Sequence, residues 1–142
     1  MTDSNDGHDF KMTDTKTEYL HSELTGQIIK AFYNVYNELG YGFLEKVYEN
    51  AMLIELERLA LSSKAQVPIK VFYEEVEVGN YFADLLVENQ VIVELKACST
   101  IADEHEAQLL NYLRATDVEV GLLLNFGKKP EHKRKVFENR LK

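Results

Sequence analysis

Residues Tyr81 to Ala97 read YFADLLVENQVIVELKA, and the fold turns on how that stretch divides. Glu88-Asn89-Gln90 is a turn signal between two apolar runs, so a strand is expected over Tyr81–Val87 and another over Val91–Ala97. Asp84 interrupts the first run, and Glu94 and Lys96 interrupt the second. Strand interiors of this kind are normally buried, and an unpaired buried charge is expensive. The three charges either pair with one another or hold something that makes their burial worthwhile.

Upstream, VPIKVFYEEVEV from Val67 to Val78 is rich in β-branched and aromatic residues and reads as a further strand, with Gly79-Asn80 as its turn. Three strands with short links form an antiparallel meander. Before them, Leu24, Ile28, Ala31, Phe32, Val35 and Leu39 recur at helical spacing, and Gly40 is placed to stop that helix. A second helix is expected from Phe43 to Leu61, with Leu44, Val47, Ala51 and Ile54 as its stripe. After the meander the period returns to helical from Asp103 to Ala115. VEVGLLLNFG then supplies an apolar inner strand, and a closing helix is expected over Glu131–Asn139. The order α-α-β-β-β-α-β-α predicts an α/β fold, a single domain with a mixed sheet flanked by helices. The helical crossover sets the third strand parallel to the last.

A chain of 142 residues is enough for one domain with a real core and too short for two. Residues 1–20 show no usable periodicity and are expected to form a flexible polar tail, leaving 21–142 as the domain. No apolar run is long enough to span a membrane and the start is polar and acidic, so a cytoplasmic protein is the plain expectation. The single cysteine, Cys98, excludes an internal disulfide framework and a cysteine-rich zinc site. A net charge of -8 argues mildly against a protein that coats nucleic acid. The basic stretch from Gly127 to Lys142 leaves room for a local basic edge, or for a solvated helix face.

Residues two apart in a strand share a face, so Glu94 and Lys96 point the same way, and strand pairing brings Asp84 close to Glu94. Two carboxylates a few ångströms apart repel, and a hard divalent cation such as Mg²⁺ or Mn²⁺ resolves the conflict. The carbonyl of Leu95 supplies a third oxygen, and Lys96 is placed to act on a water or on phosphoryl charge. That is the chemistry of phosphodiester hydrolysis. The competing explanation is a cross-strand salt bridge from Lys96 to Asp84 or Glu94.

In HEAQLLNYLRAT, His105, Gln108 and Tyr112 form one helical stripe opposite the apolar positions, suited to hold a phosphate or a base. Taken alone, a wet helix face explains that stripe better. Glu45, in GFLEKVY, could reach a metal directly or through water, or simply neutralise a helix N-terminus.

GFLEKVY matches the motif that names the GxxExxY protein family, and YFADLLVE, VIVELKA, HEAQLLNYLRAT and GLLLNFG resemble that family's successive blocks. The family in turn resembles the PD-(D/E)xK nuclease superfamily. The resemblance implies a restriction-endonuclease-like α/β fold and a Mg²⁺- or Mn²⁺-dependent nuclease, with DNA as the expected substrate. It implies metal ligation by Asp84, Glu94, the Leu95 carbonyl and Glu45. It also implies catalytic work for Lys96 and support from Gln108 and Tyr112, which resemble a Q-x-x-x-Y helix motif. The superfamily's eponymous proline is replaced by Ala83. A nuclease-like scaffold that binds nucleic acid or a partner chain with little or no turnover is the rival, and a homodimer would extend a short chain's grip.

Overall fold

The computed structural model describes residues 20–142, so the tail expected over residues 1–20 lies, apart from Leu20, outside the described residues. Helix α1 spans Ser22–Leu39 and buries Ile28, Ala31, Phe32 and Val35, the apolar stripe that the spacing predicts. It stops at Gly40, whose positive φ of 68° suits a residue without Cβ and whose N–H bonds to the Tyr36 carbonyl.

Helix α2 spans Glu45–Arg58 and corrects the expected stripe. Leu44, Val47 and Ile54 are exposed, whereas Tyr48, Met52 and Leu56 are buried. Apolar residues ring this helix, so periodicity alone cannot choose a face. Tyr48 makes the choice. Its ring stacks on Phe126 at 4.0 Å, and its hydroxyl donates to the Gly40 carbonyl at 2.7 Å and accepts from the Phe43 N–H at 3.2 Å. The glycines and the tyrosine of this connection thus work as a clip that fixes α2 against α1.

Five strands form one sheet in the order β1-β2-β3-β4-β5: Ser63–Tyr73, Val76–Val87, Val91–Lys96, Val120–Phe126 and Pro130–Val136. The first three form the expected antiparallel meander, and β3 pairs parallel with β4 across the crossover helix α3, Asp103–Arg114. Every residue of β4 is buried, as a strand inside the sheet requires. Gly121 admits α3 to β4: a Cβ there would lie 2.6 Å from a Leu109 methyl.

Two expectations fail. The turn of the first hairpin is not Gly79-Asn80, which lies inside β2, but Glu74-Glu75, both with positive φ. A register shift between Val71 and Phe72 moves the turn to these unpromising residues. The stretch expected to close the chain as a helix is instead strand β5, paired antiparallel with β4 from Phe126↔Pro130 to Val120↔Val136. Without β5 the wholly buried β4 would expose its edge, so tertiary pairing overrides local preference.

Helices α1 and α2 cover one face, where Leu85, Val93, Leu95, Leu122, Leu124 and Phe126 form the larger core. Helix α3 covers the other, its Leu109 and Leu113 packing over Ile92 and Leu123. The outer hairpin twists between these layers. Ala65 and Leu85 pack into the first core, but Ile69 and Ala83 pack into the second. The crossing falls at Gln66 and Asp84, and Gln66 takes a left-handed φ of 56° there.

Candidate active site

At that crossing β2 and β3 part. Their ladder holds Val87↔Val91, Leu86↔Ile92 and Leu85↔Val93 and then stops. Side chains take up the next backbone donors: the Asp84 N–H donates to Glu94 Oε2 and the Leu95 N–H donates to Asp84 Oδ2, each at 2.8 Å. These crossed bonds hold the two carboxylates on one face in a fixed register. Glu94 is only 4% exposed, and its Oε1 has no hydrogen-bond donor among the described residues.

The electrostatics follow from this geometry. Burial, then the neighbouring Asp84 charge, pushes Glu94 from 4.5 to about 8, against the Asp84 N–H and Lys96. Burial also raises Asp84, and Glu49 adds to the rise, against the Leu95 N–H, Gln66 and Lys96. Lys96 is half-buried beside both acids yet makes no ion pair within 4 Å among the described residues. The cross-strand salt bridge is therefore not what the strands contain.

Other candidate residues are distributed unevenly. Tyr112 and Gln108 lie on α3 facing the outer hairpin, with the Tyr112 ring 5.9 Å from Tyr81. Tyr112 is 6% exposed and belongs to the second core, so it is not opposite the apolar positions as its spacing suggested. Burial and the charges of Glu94 and Asp84 raise its hydroxyl to about 12, which keeps it a neutral donor. His105 leaves the stripe to accept the Ala102 N–H at 3.0 Å at the helix start. Glu45 is exposed in the first turn of α2 and touches the pair only through its charge on Glu94.

Two neighbours escaped the sequence reading. Glu49, one turn beyond Glu45, is 4% exposed, pairs with Lys46 at 2.7 Å and accepts from Gln66 Nε2 at 2.7 Å. The same Gln66 nitrogen reaches Asp84 Oδ1 at 3.4 Å, so Gln66 links α2 to the acid pair. A glutamate inside an apolar helical run was a signal available for Glu49; nothing marked Gln66. On the far side, buried Asn125 accepts the Cys98 N–H and donates to the Cys98 carbonyl and to Glu131, each at 3.0 Å, which fixes the loop after Lys96.

The donor set fits a hard divalent cation. It offers carboxylate oxygens and the Leu95 carbonyl, and one buried carboxylate oxygen lacks a donor. Among the described residues, however, no three histidine, cysteine or acidic side chains converge on one point. A cation here would rest on two carboxylates, the Leu95 carbonyl and water rather than on a closed protein cage.

A mixed sheet carrying two acids and a lysine where two strands part, with helices on both faces, is a restriction-endonuclease-like fold. The chain belongs to the PD-(D/E)XK nuclease superfamily, whose family model matches residues 22–136. Among solved structures it is similar to the crystal structure of SSO0001, at 16% identity and a TM-score of 0.51. That likeness is one of fold, covering 87% of this chain and 62% of SSO0001. No curated protein sequence matches the chain significantly.

Proposed function

We propose that residues 21–142 form a metal-dependent nuclease domain hydrolysing phosphodiester bonds in DNA. We also read the Gly42–Tyr48 motif as putting the chain in the GxxExxY group. The crossed hydrogen bonds between Asp84 and Glu94 carry the functional reading: they hold a half-buried and a buried acid together at a strand parting, beside a lysine that neutralises neither by direct pairing. Asp84, Glu94 and the Leu95 carbonyl would hold Mg²⁺ or Mn²⁺, with Glu45 or the better-buried Glu49 contributing through water. Bound there, the cation would cancel the repulsion of the acids and offset charge developing on the phosphoryl oxygens. Lys96 holds the attacking water. Gln108 and Tyr112 steady the strand, so that water oxygen bonds to phosphorus as the opposite P–O bond to the sugar breaks. No helix among the described residues is long and apolar enough to cross a membrane. A free Cys98 thiol suits action in the reducing cytoplasm.

One observation favours a second reading, a nuclease-fold scaffold without turnover: each acid already accepts a backbone N–H, so both have structural work without a metal. Titration calorimetry with Mn²⁺ on the intact protein and on Asp84→Asn, together with oligonucleotide cleavage, separates the two. Asn keeps an oxygen for the Leu95 N–H and removes the charge. Binding and cleavage lost together in a folded variant support the enzyme; neither in the intact protein supports the scaffold.

A further inference from the structure

Between the outer β1–β2 hairpin and α3 runs a groove of about 700 Å³. Phe72 and Tyr81 line it from the hairpin, Gln108 and Tyr112 from the helix, and Lys70 and Arg114 add positive charge. Phe72 is 58% exposed and Tyr81 48%, an open aromatic wall on a hairpin that also exposes Tyr73, Val76, Val78 and Phe82. The wall leads to the candidate active site, because Tyr81 lies against Tyr112, and Tyr112 is within the electrostatic reach of Asp84 and Glu94.

We propose that this groove carries a single strand of DNA to the acid pair, with unstacked bases lying on Tyr81 and Phe72. The proposal rests on the nuclease reading and adds to it the strandedness of the substrate. Duplex DNA hides its base faces and is gripped through phosphates, which requires many lysines and arginines. This chain has a net charge of -8. Its groove offers only two cations, and Glu104 lines it as well. Aromatic walls instead match the faces of exposed bases, while Lys70 and Arg114 suffice to guide a backbone past them. The groove's continuity with the acid pair argues for substrate over a second copy of the chain.

Fluorescence anisotropy with a short labelled oligonucleotide, in Ca²⁺, tests the proposal on the full chain. Single-stranded DNA should bind more tightly than the same sequence as duplex or as RNA. Tyr81→Ala should weaken single-strand binding on the order of tenfold, and Tyr81→Phe should keep it. Phe72→Ala provides a second variant at an exposed position should Tyr81→Ala fold poorly. Equal or tighter binding of duplex or RNA overturns the proposal, as does indifference to both alanine variants. So does a dimer that these variants disperse without changing DNA binding, since the groove would then join two copies. Cleavage in Mg²⁺ keeps the two readings apart. Single-strand binding without cleavage defeats the nuclease reading alone, and preferential cutting of duplex defeats this one alone.

Discussion

Toward α1 and α2 the sheet presents Leu85, Val93, Leu95, Leu122, Leu124 and Phe126; toward α3 it presents Glu94 and Asn125 among Ile92 and Leu123. The first face stabilises by area and fit. Phe126, for instance, meets Phe32 at 4.8 Å edge-on and Tyr48 at 4.0 Å face-on. The second face buries polar groups whose hydrogen bonds roughly offset their desolvation, so they add position more than stability. One sheet thus separates what holds the chain together from what holds a site in register.

The largest effect that could break this comparison is at Asp84. Asp84→Asn should reduce metal-dependent cleavage on the order of 10³-fold or more while changing stability little, because a half-buried charge under repulsion is removed and an acceptor for the Leu95 N–H remains. Phe126→Ala should do the reverse. It should cost ~3–5 kcal/mol in denaturant unfolding and leave activity per folded molecule nearly unchanged. If Asp84→Asn unfolds the protein as readily as Phe126→Ala, the two faces do not divide their work.

A pH titration sharpens the contrast. Glu94 has a folded pKa of about 8 against an ordinary 4.5, so between those values the folded protein holds a proton that the unfolded chain has released. Its contribution is therefore fully present below pH 4.5 and is lost as pH rises toward 8, without metal. Asp84, raised as well, acts in the same direction from 3.8 upward. Glu106 acts oppositely: hydrogen bonds from Lys133 and Lys135 hold it down at about 2, so its contribution is lost as pH falls from 4.5 toward 2. Thermal melts of the metal-free protein should show stability falling from mildly acidic pH to pH 8, and Glu94→Gln should flatten that fall. An unchanged slope in the variant would place the titrating group elsewhere.

How much of this was legible in the sequence follows the same division. The apolar face could be read from pattern: α1's stripe and the apolar runs of β3 and β4 announce their burial. The proximity of Asp84, Glu94 and Lys96 could also be read, since a short turn fixes the register of β2 on β3. What could not be read depends on contacts between distant elements. The face of α2 is chosen by Tyr48 against Phe126, the turn at Glu74-Glu75 by a register shift, and β5 by the open edge of β4. Gln66 and Glu49 enter the site only because the hairpin crosses from one layer to the other, an event with no local sequence signature.

The smallest predicted effects concern two left-handed residues that differ only in what their side chains touch. Gln66 and Glu75 have φ of 56° and 69°, strained for any residue with a Cβ, and glycine relieves either. Glu75 is exposed at the hairpin tip, so Glu75→Gly should stabilise by ~0.5–1 kcal/mol, after glycine's entropy cost, and leave cleavage unchanged. Gln66→Gly gains the same backbone relief but loses the hydrogen bonds to Glu49 and Asp84. Its net stability should lie within ~1 kcal/mol of the parent while cleavage falls and more Mg²⁺ is needed for half-maximal rate. Equal behaviour of the two variants would make Gln66 only a bend in β1. Divergence in activity at similar stability would make it a positioning residue, set where the strand passes from the face that holds the fold to the face that holds the acids.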